Sequence, residues 1–248
     1  MDPVALAFEH VRKSFGRRVA LADFSVDVHR GELFGLVGVN GAGKTTLIKC
    51  LLDFATPDAG SIRLFGKASE RTAARECLAF LPERFLPPYY LTGADFLRYM
   101  LELHRAPYVQ ARIEAMCDSL DLERRSLELP VRSFSKGMTQ KLGLAACLMS
   151  GKRLFVLDEP TSGLDPKARA LLKRELLRLK ADGKTLFLTS HLLADIEQLC
   201  DRMAVLHEGT IRFVGTPGAL LERHATTDME QAFLACIGAD AGLEGPQA

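Results

Sequence analysis

Apolar and polar positions change rhythm several times along the chain, and each change marks an element. Leu6 and Phe8 alternate with small residues, and Phe24, Val26 and Val28 with polar ones, so the first 37 residues read as β-rich. His29-Arg30-Gly31-Glu32 reads as a turn. Leu33–Val37 is then uninterruptedly apolar, the pattern of a strand buried on both faces. A helix is expected over residues 44–54, ended by Thr56-Pro57-Asp58-Ala59-Gly60, with a short strand over 61–65 before Gly66. Residues 70–150 read as mostly helical, broken at Pro87-Pro88, Pro107 and Pro130. Leu154-Phe155-Val156-Leu157 predicts another buried strand. Asp165-Pro166 opens a helix with a capping residue and a proline at its first position. Leu171, Leu172, Leu176 and Leu179 give that helix an apolar face, and Gly183 ends it. Strands at 185–188 and 203–206 flank a helix at 192–200. Strands alternating with helices imply a mainly parallel α/β sheet, with the long helical stretch inserted into it.

Composition narrows the class. Of 248 residues, 48% are hydrophobic and 25% charged, with 32 basic against 31 acidic side chains. These values suit a globular protein and exclude a disordered one. The longest run without a charged side chain is residues 33–43, well short of the roughly 20 apolar residues a membrane helix needs. Met1-Asp2-Pro3-Val4 starts neither a basic segment nor an apolar core, so no secretory signal is expected. The length admits one large domain or two small ones. The six cysteines lie far apart with no CxxC pair, which suggests buried thiols in a reducing compartment. Near-zero net charge gives no attraction to nucleic acid, and no such partner is expected. The last 25 residues carry acids but no Lys or Arg and read as a solvated tail.

Two motifs carry chemistry. Gly38-Val39-Asn40-Gly41-Ala42-Gly43-Lys44-Thr45 fits GxxxxGK[ST], the phosphate-binding loop, between a buried strand and a helix. Its glycines let successive amides face one concavity, and the helix start adds positive potential. Lys44 would reach the β- and γ-phosphates, and Thr45 would place its hydroxyl on Mg²⁺. The second motif is the apolar strand ending in Asp158-Glu159. A carboxylate at the C-terminal end of a buried strand lies where open α/β sheets bind ligands. Asp158 suits a Mg²⁺ ligand, and Glu159 a general base for the attacking water.

With these in place, the chain resembles the ATP-binding subunit of ABC transporters over residues 4 to about 218. The distinguishing stretch is Ser133-Phe134-Ser135-Lys136-Gly137-Met138-Thr139-Gln140-Lys141, which occupies the place of the family's LSGGQ signature. By itself Ser135 reads as a helix cap. The resemblance implies that Ser135, Lys136 and Gly137 bind the γ-phosphate of ATP held on a second subunit's loop. Lys136 and Met138 depart from the consensus, and this variant looks like that of single-domain ATPases paired with separate exporter-type permeases. The resemblance also implies Thr46 among the nucleotide contacts, Phe15 stacked on adenine, Asp165 in the loop that crosses between subunits, and His191 as a switch at the γ-phosphate, catalytic alongside Glu159 and Lys44. Glu83 falls where the family usually has Gln, linking Mg²⁺ and the attacking water to the helical insertion, and it is expected to ligate Mg²⁺ as well.

The implied fold is a P-loop NTPase core of mainly parallel sheet, with an N-terminal antiparallel β-subdomain and a helical insertion at about 84–150. One domain would span 1–218, followed by a short helix and acidic tail at 219–248. The implied function is hydrolysis of ATP with Mg²⁺ that powers transport of an unidentified substrate, in the export direction, through a transmembrane permease subunit, with the ATPase subunits paired as a homodimer or heterodimer. Location would be cytoplasmic, peripheral on the inner face of the cell membrane. Tyr89, Tyr90, Tyr99 and Tyr108 cluster after Glu83, with Phe85 and Phe96 nearby. They read equally as internal packing of the helical part or as a groove for a permease helix. The alternative function is an ATP-gated clamp in a non-transport role. A DNA-acting relative would carry a coiled-coil arm between Lys44 and Asp158, and the intervening stretch is too short for one.

Overall fold

The computed structural model describes residues 3–238, which divide by their internal contacts into two units. The first takes the residues up to Glu76 and those from Phe187 onward; the second is Cys77–Leu186. In chain order the first unit opens with β1 (Val4–Phe15), β2 (Arg18–His29), β3 (Leu33–Val37), α1 (Lys44–Leu51), β4 (Ala59–Leu64), β5 (Lys67–Ala68) and α2 (Thr72–Arg75). The second unit holds β6 (Leu78–Leu81), α3 (Gly93–Leu103), α4 (Gln110–Ser119), two 3₁₀ turns, α5 (Lys136–Leu148), β7 (Leu154–Asp158) and α6 (Pro166–Ala181). β8 (Thr185–Ser190) leads back into the first unit, followed by α7 (Leu193–Leu199), β9 (Arg202–His207), β10 (Thr210–Gly215), α8 (Pro217–Arg223) and α9 (Met229–Ile237).

In the first unit the strand order is β5-β4-β1-β2-β10-β9-β3-β8. β1 runs antiparallel to β2 and β4, with Phe8 opposite Val26 and Leu6 opposite Leu64. β3 and β9 are parallel, Leu36 facing Ala204. All five residues of β3 are buried, as its unbroken apolar run requires. The core centres on phenylalanines: Phe8 meets Phe24 edge-on at 5.2 Å, and Phe34 stacks on Phe187 at 6.1 Å. In the second unit β6 and β7 are parallel, in register from Leu78–Leu154 to Leu81–Leu157. α5 is buried from Gln140 to Leu148, while its first turn, residues 136–139, is not.

The architecture is the expected mixed α/β fold with antiparallel strands at its N-terminal end. Local differences have physical causes. Leu78-Ala79-Phe80-Leu81 forms a strand inside the stretch read as helical. Four apolar residues carry no periodicity that separates strand from helix, and pairing with β7 decides. α1 stops at Leu51, because Asp53 turns left-handed and the Phe54 and Ala55 amides bond back to the Lys49 carbonyl. After β10 come two short helices rather than one, capped by the Thr216 hydroxyl and the Asp228 carboxylate. The last ten positions of the expected acidic tail, 239–248, lie outside the described residues. No cysteine pairs, and Cys50, Cys117, Cys147 and Cys200 are buried.

Candidate functional site

The first unit carries one set of candidate groups at the C-terminal ends of β3 and β8, which are neighbours in its sheet. β3 delivers the loop Gly38–Gly43, and α1 begins at once with Lys44. Gly43 has φ 117°, and a Cβ there would lie 2.5 Å from the Ala20 carbonyl oxygen. Gly38 is similarly pressed against the Leu206 carbonyl. The loop therefore passes where only glycine fits. No side chain caps α1 and its first turn holds no acid, so its leading amides stay available to an anion. Lys44 is buried, and its ammonium donates to the Gly38 carbonyl at 2.5 Å, lying across the loop. Val39, Asn40, Gly41 and Thr45 are exposed, Thr46 is half-buried and Ala42 buried. This cradle suits a chain of phosphates. His191 follows Ser190, the last residue of β8, and is exposed.

Phe15 stands elsewhere in this unit, at the end of β1, with half its surface exposed. The Lys13 ammonium lies 5.4 Å from its ring centroid. Asp58 pins that strand end, accepting from Lys13 at 2.7 Å and from the Ser14 amide at 2.6 Å. The bond from Lys13, and then that from Ser14, hold the Asp58 carboxyl below the usual range. An exposed flat ring at a fixed strand end can stack on a base.

The second unit carries the carboxylates and the signature stretch. β7 ends at Asp158, and Glu159 turns left-handed with φ 50°, a conformation uncommon for a residue with a side chain. Both are almost fully buried, at 4% and 5% exposure. Glu83 is exposed two residues beyond Leu81, which pairs with Leu157, so it shares the strand edge with Asp158. The Ser162 amide bonds the Glu159 carbonyl at 3.0 Å, turning the chain toward Gly163 and Asp165. Asp165 caps α6 by accepting from the Ala168 amide at 2.9 Å, chiefly for which its carboxyl lies below the usual range. Ser135 caps α5, its hydroxyl accepting from the Met138 amide at 3.2 Å. The start of α5 lies close to the turn before α6: a Cβ on Gly163 would come within 3.0 Å of Lys136, and one on Gly137 within 3.5 Å of the Gly163 carbonyl. Buried Gln140 donates to the Pro160 carbonyl at 3.3 Å.

Within this unit the structure brings Ser135, Lys136 and Gly137 onto Gly163 and the approach to Asp165, and sets Glu83 beside the Asp158 strand end. Gln140 escaped the sequence reading, since it stands in the signature stretch without a role marked by its neighbours. The aromatic cluster divides. Phe85 packs on Phe96 at 5.5 Å, and Tyr108 lies under the Arg98 guanidinium, whereas Tyr89 and Tyr90 meet edge-on and remain about 70% exposed. Among the described residues no three His, Cys, Asp or Glu side chains converge as a metal site. A Mg²⁺ carried in on nucleotide phosphates needs only one or two protein ligands, and a threonine hydroxyl with a carboxylate has the right oxygen chemistry.

Residues 21–162 match the ABC transporter family. The chain belongs to that family. It is 40% identical over 205 residues to an uncharacterized ABC transporter ATP-binding protein of Synechocystis sp., covering 82% of this chain and 58% of that one. Nod factor export ATP-binding protein I of Paraburkholderia xenovorans is 36% identical over 237 residues, 94% of this chain and 78% of the relative. The protein of the same name from Bradyrhizobium diazoefficiens is 38% identical over 230 residues, with coverages of 90% and 74%. Thus the chain spans little more than half of the first relative and about three quarters of the other two. Among solved structures, an ATP-binding subunit of an ABC transporter superposes with a TM-score of 0.85 at 28% identity, covering 94% of this chain and 99% of that one. A dimeric ATP-binding cassette in a post-hydrolysis state, bound to ADP and Pi, shares the fold with a TM-score of 0.77 at 20% identity, covering 85% and 98%. The chain is therefore an ABC nucleotide-binding domain, as the signature stretch implied.

Proposed function

We propose that the chain binds and hydrolyses ATP and so powers an exporter-type transporter through a separate permease. The observation that carries this is Glu159, buried, held left-handed and directly after Asp158 at a strand end. A carboxylate kept in a sparsely populated backbone conformation is a hallmark of sites where placement of the group matters. Its role is to take the proton of the attacking water. Lys44 and the loop amides hold the β- and γ-phosphates, His191 orients the γ-phosphate, and Phe15 takes the adenine. Thr45, Asp158 and Glu83 carry the oxygens that would hold Mg²⁺, and the ion would neutralise phosphate charge when bound.

The capped helix starts at Ser135 and Asp165 point to a second role, that of facing the ATP on another copy. Two subunits paired head to tail would each give a loop to one nucleotide and a signature to the other. Export is supported by the names of the Nod factor export relatives and by the signature variant. Among the described residues no helix is long and apolar enough to cross a membrane. The proposal gives the span to the permease and sets this subunit against its inner face. Exposed Leu86, Tyr89 and Tyr90 offer that partner an apolar contact.

Glu159→Gln tests the reading. ATP binding should persist while turnover drops roughly 10²–10⁴-fold, and the variant should accumulate as an ATP-bound dimer. Phosphate release at the wild-type rate would remove Glu159 from the chemistry. A free-standing ATP-gated clamp, in contrast, would show no stimulation of hydrolysis by any co-purifying permease.

A further inference from the structure

Asp121 lies outside every motif, yet it is the point where the two helices behind the signature meet. It follows α4 in a left-handed conformation, φ 54°, which Asp and Asn tolerate better than most residues. The turn is anchored: the Leu122 amide bonds the Cys117 carbonyl at 2.8 Å, and Leu120 and Leu122 are buried on either side. From there Asp121 reaches both helices. The Lys141 ammonium of α5 donates to its carbonyl at 2.7 Å and lies 3.5 Å from Oδ2. The Lys167 ammonium, in the first turn of α6, donates to Oδ1 at 2.6 Å. Lys141 is itself 8% exposed, so these oxygens partner an ammonium that reaches little water.

We propose that Asp121 is a positioning residue, a clamp that ties α5, through Lys141 in its second turn, to the first turn of α6. In this way the signature at Ser135–Gly137 and the turn at Gly163–Asp165 face the second subunit as one rigid surface. Three observations agree. Each helix start is separately capped, so neither needs Asp121 in order to be helical. The start of α5 at Lys136 already lies close to the turn before α6 at Gly163. The bond from Lys167, foremost, keeps the Asp121 carboxyl below the usual range, so the clamp is charged at neutral pH. A lost clamp therefore leaves both helices folded but free to shift relative to each other, which costs order at the moment of pairing.

The inference rests on the head-to-tail reading, and its test separates the two. In a Glu159→Gln background, the dimer dissociation constant at saturating Mg-ATP is measured by analytical ultracentrifugation, with ATP affinity of the monomer and thermal midpoint alongside. Asp121→Asn keeps the backbone conformation and removes the charge. A symmetric dimer loses the charged Lys167 link of two clamps at once, while the Lys141 bond to the backbone carbonyl remains, so the dissociation constant should rise about five- to thirtyfold. ATP affinity should stay within about twofold and the midpoint within about 2 °C. Lys167→Met, at an exposed position, should produce the same weakening, and the double variant should add less than about twofold. A dimer constant unmoved by Asp121→Asn, or effects of the two substitutions that multiply, would overturn the clamp. A parent that binds ATP yet forms no dimer would overturn the head-to-tail reading, and the clamp with it.

Discussion

The phosphate loop and the signature region are both helix starts offered to an anion, but they are built in opposite ways. At α1 the N-cap is Gly43, no side chain bonds the first amides, and the chain itself curls into the cradle. At α5 and α6 a side-chain oxygen already occupies a first-turn amide, Ser135 on Met138 and Asp165 on Ala168. The loop can therefore offer phosphate its own backbone amides together with Lys44. On the head-to-tail proposal the signature would use what its caps leave over: the Ser135 hydroxyl proton, since the oxygen accepts while the proton still donates, together with Lys136 and the Gly137 amide. One region is a self-contained anion trap. The other is a surface whose shape depends on segments brought from elsewhere, on Asp121 and on Gly163.

The hardest blow to this contrast is a side chain in the loop. Gly43→Ala places a methyl against the Ala20 carbonyl at a φ of 117°, so the loop must open, and ATP affinity should drop more than about 100-fold. Gly183→Ala in the second unit is the control. Its φ is 74°, but nothing lies within 4 Å, so it should cost about 1 kcal/mol of stability from backbone strain and leave ATP affinity alone. Equal losses of ATP affinity from both would show that the loop is not held by close packing.

A smaller effect separates the two jobs given to Ser135. Ser135→Ala removes a cap worth about 1 kcal/mol, whereas Ser135→Gly costs only a few tenths. If the hydroxyl also meets phosphate on the second subunit, both variants should lower steady-state turnover by a similar factor, about tenfold, whatever their thermal midpoints. Turnover that follows the midpoints, with glycine near wild type, would reduce Ser135 to a cap.

The same contrast explains what the sequence made legible. The loop, the carboxylate pair and β3 are written in consecutive residues, because neighbours along the chain build them. β6 was not, since four apolar residues pair with β7 across a gap of more than 70 positions and carry no rhythm of their own. Gln140 and Asp121 escaped for a related reason. Each acts on a carbonyl or an ammonium that lies at least 20 positions away, and nothing in its local pattern marks that. The Ser135 and Asp165 caps fell between these cases: local spacing identified them as helix starts, but only the folded unit shows that the first lies close to the turn leading into the second.

The finest test asks whether the two caps differ in charge as they do in chemistry. Asp165 has a depressed carboxyl pKa, caused first by the bond from the Ala168 amide. A depressed carboxyl favours the folded state above its unfolded value, about 3.9, and the contribution is lost as pH drops through the lower folded value. From pH 6 to 8 this cap should therefore be constant, and Asp165→Asn, an equally good cap, should leave the thermal midpoint nearly unchanged. Below pH 4 the two regions part. The Ala168 amide resonance should titrate with a midpoint under 3.9, while that of Met138, bonded to a hydroxyl that does not ionise, should follow no such curve. The Ser14 amide, bonded to the depressed carboxyl of Asp58, supplies an internal reference in the first unit. Asp165→Asn should abolish the Ala168 transition and spare that of Ser14. An Ala168 midpoint at or above 3.9 would mean that the amide does not hold the carboxylate, and α6 would then begin as open as α1.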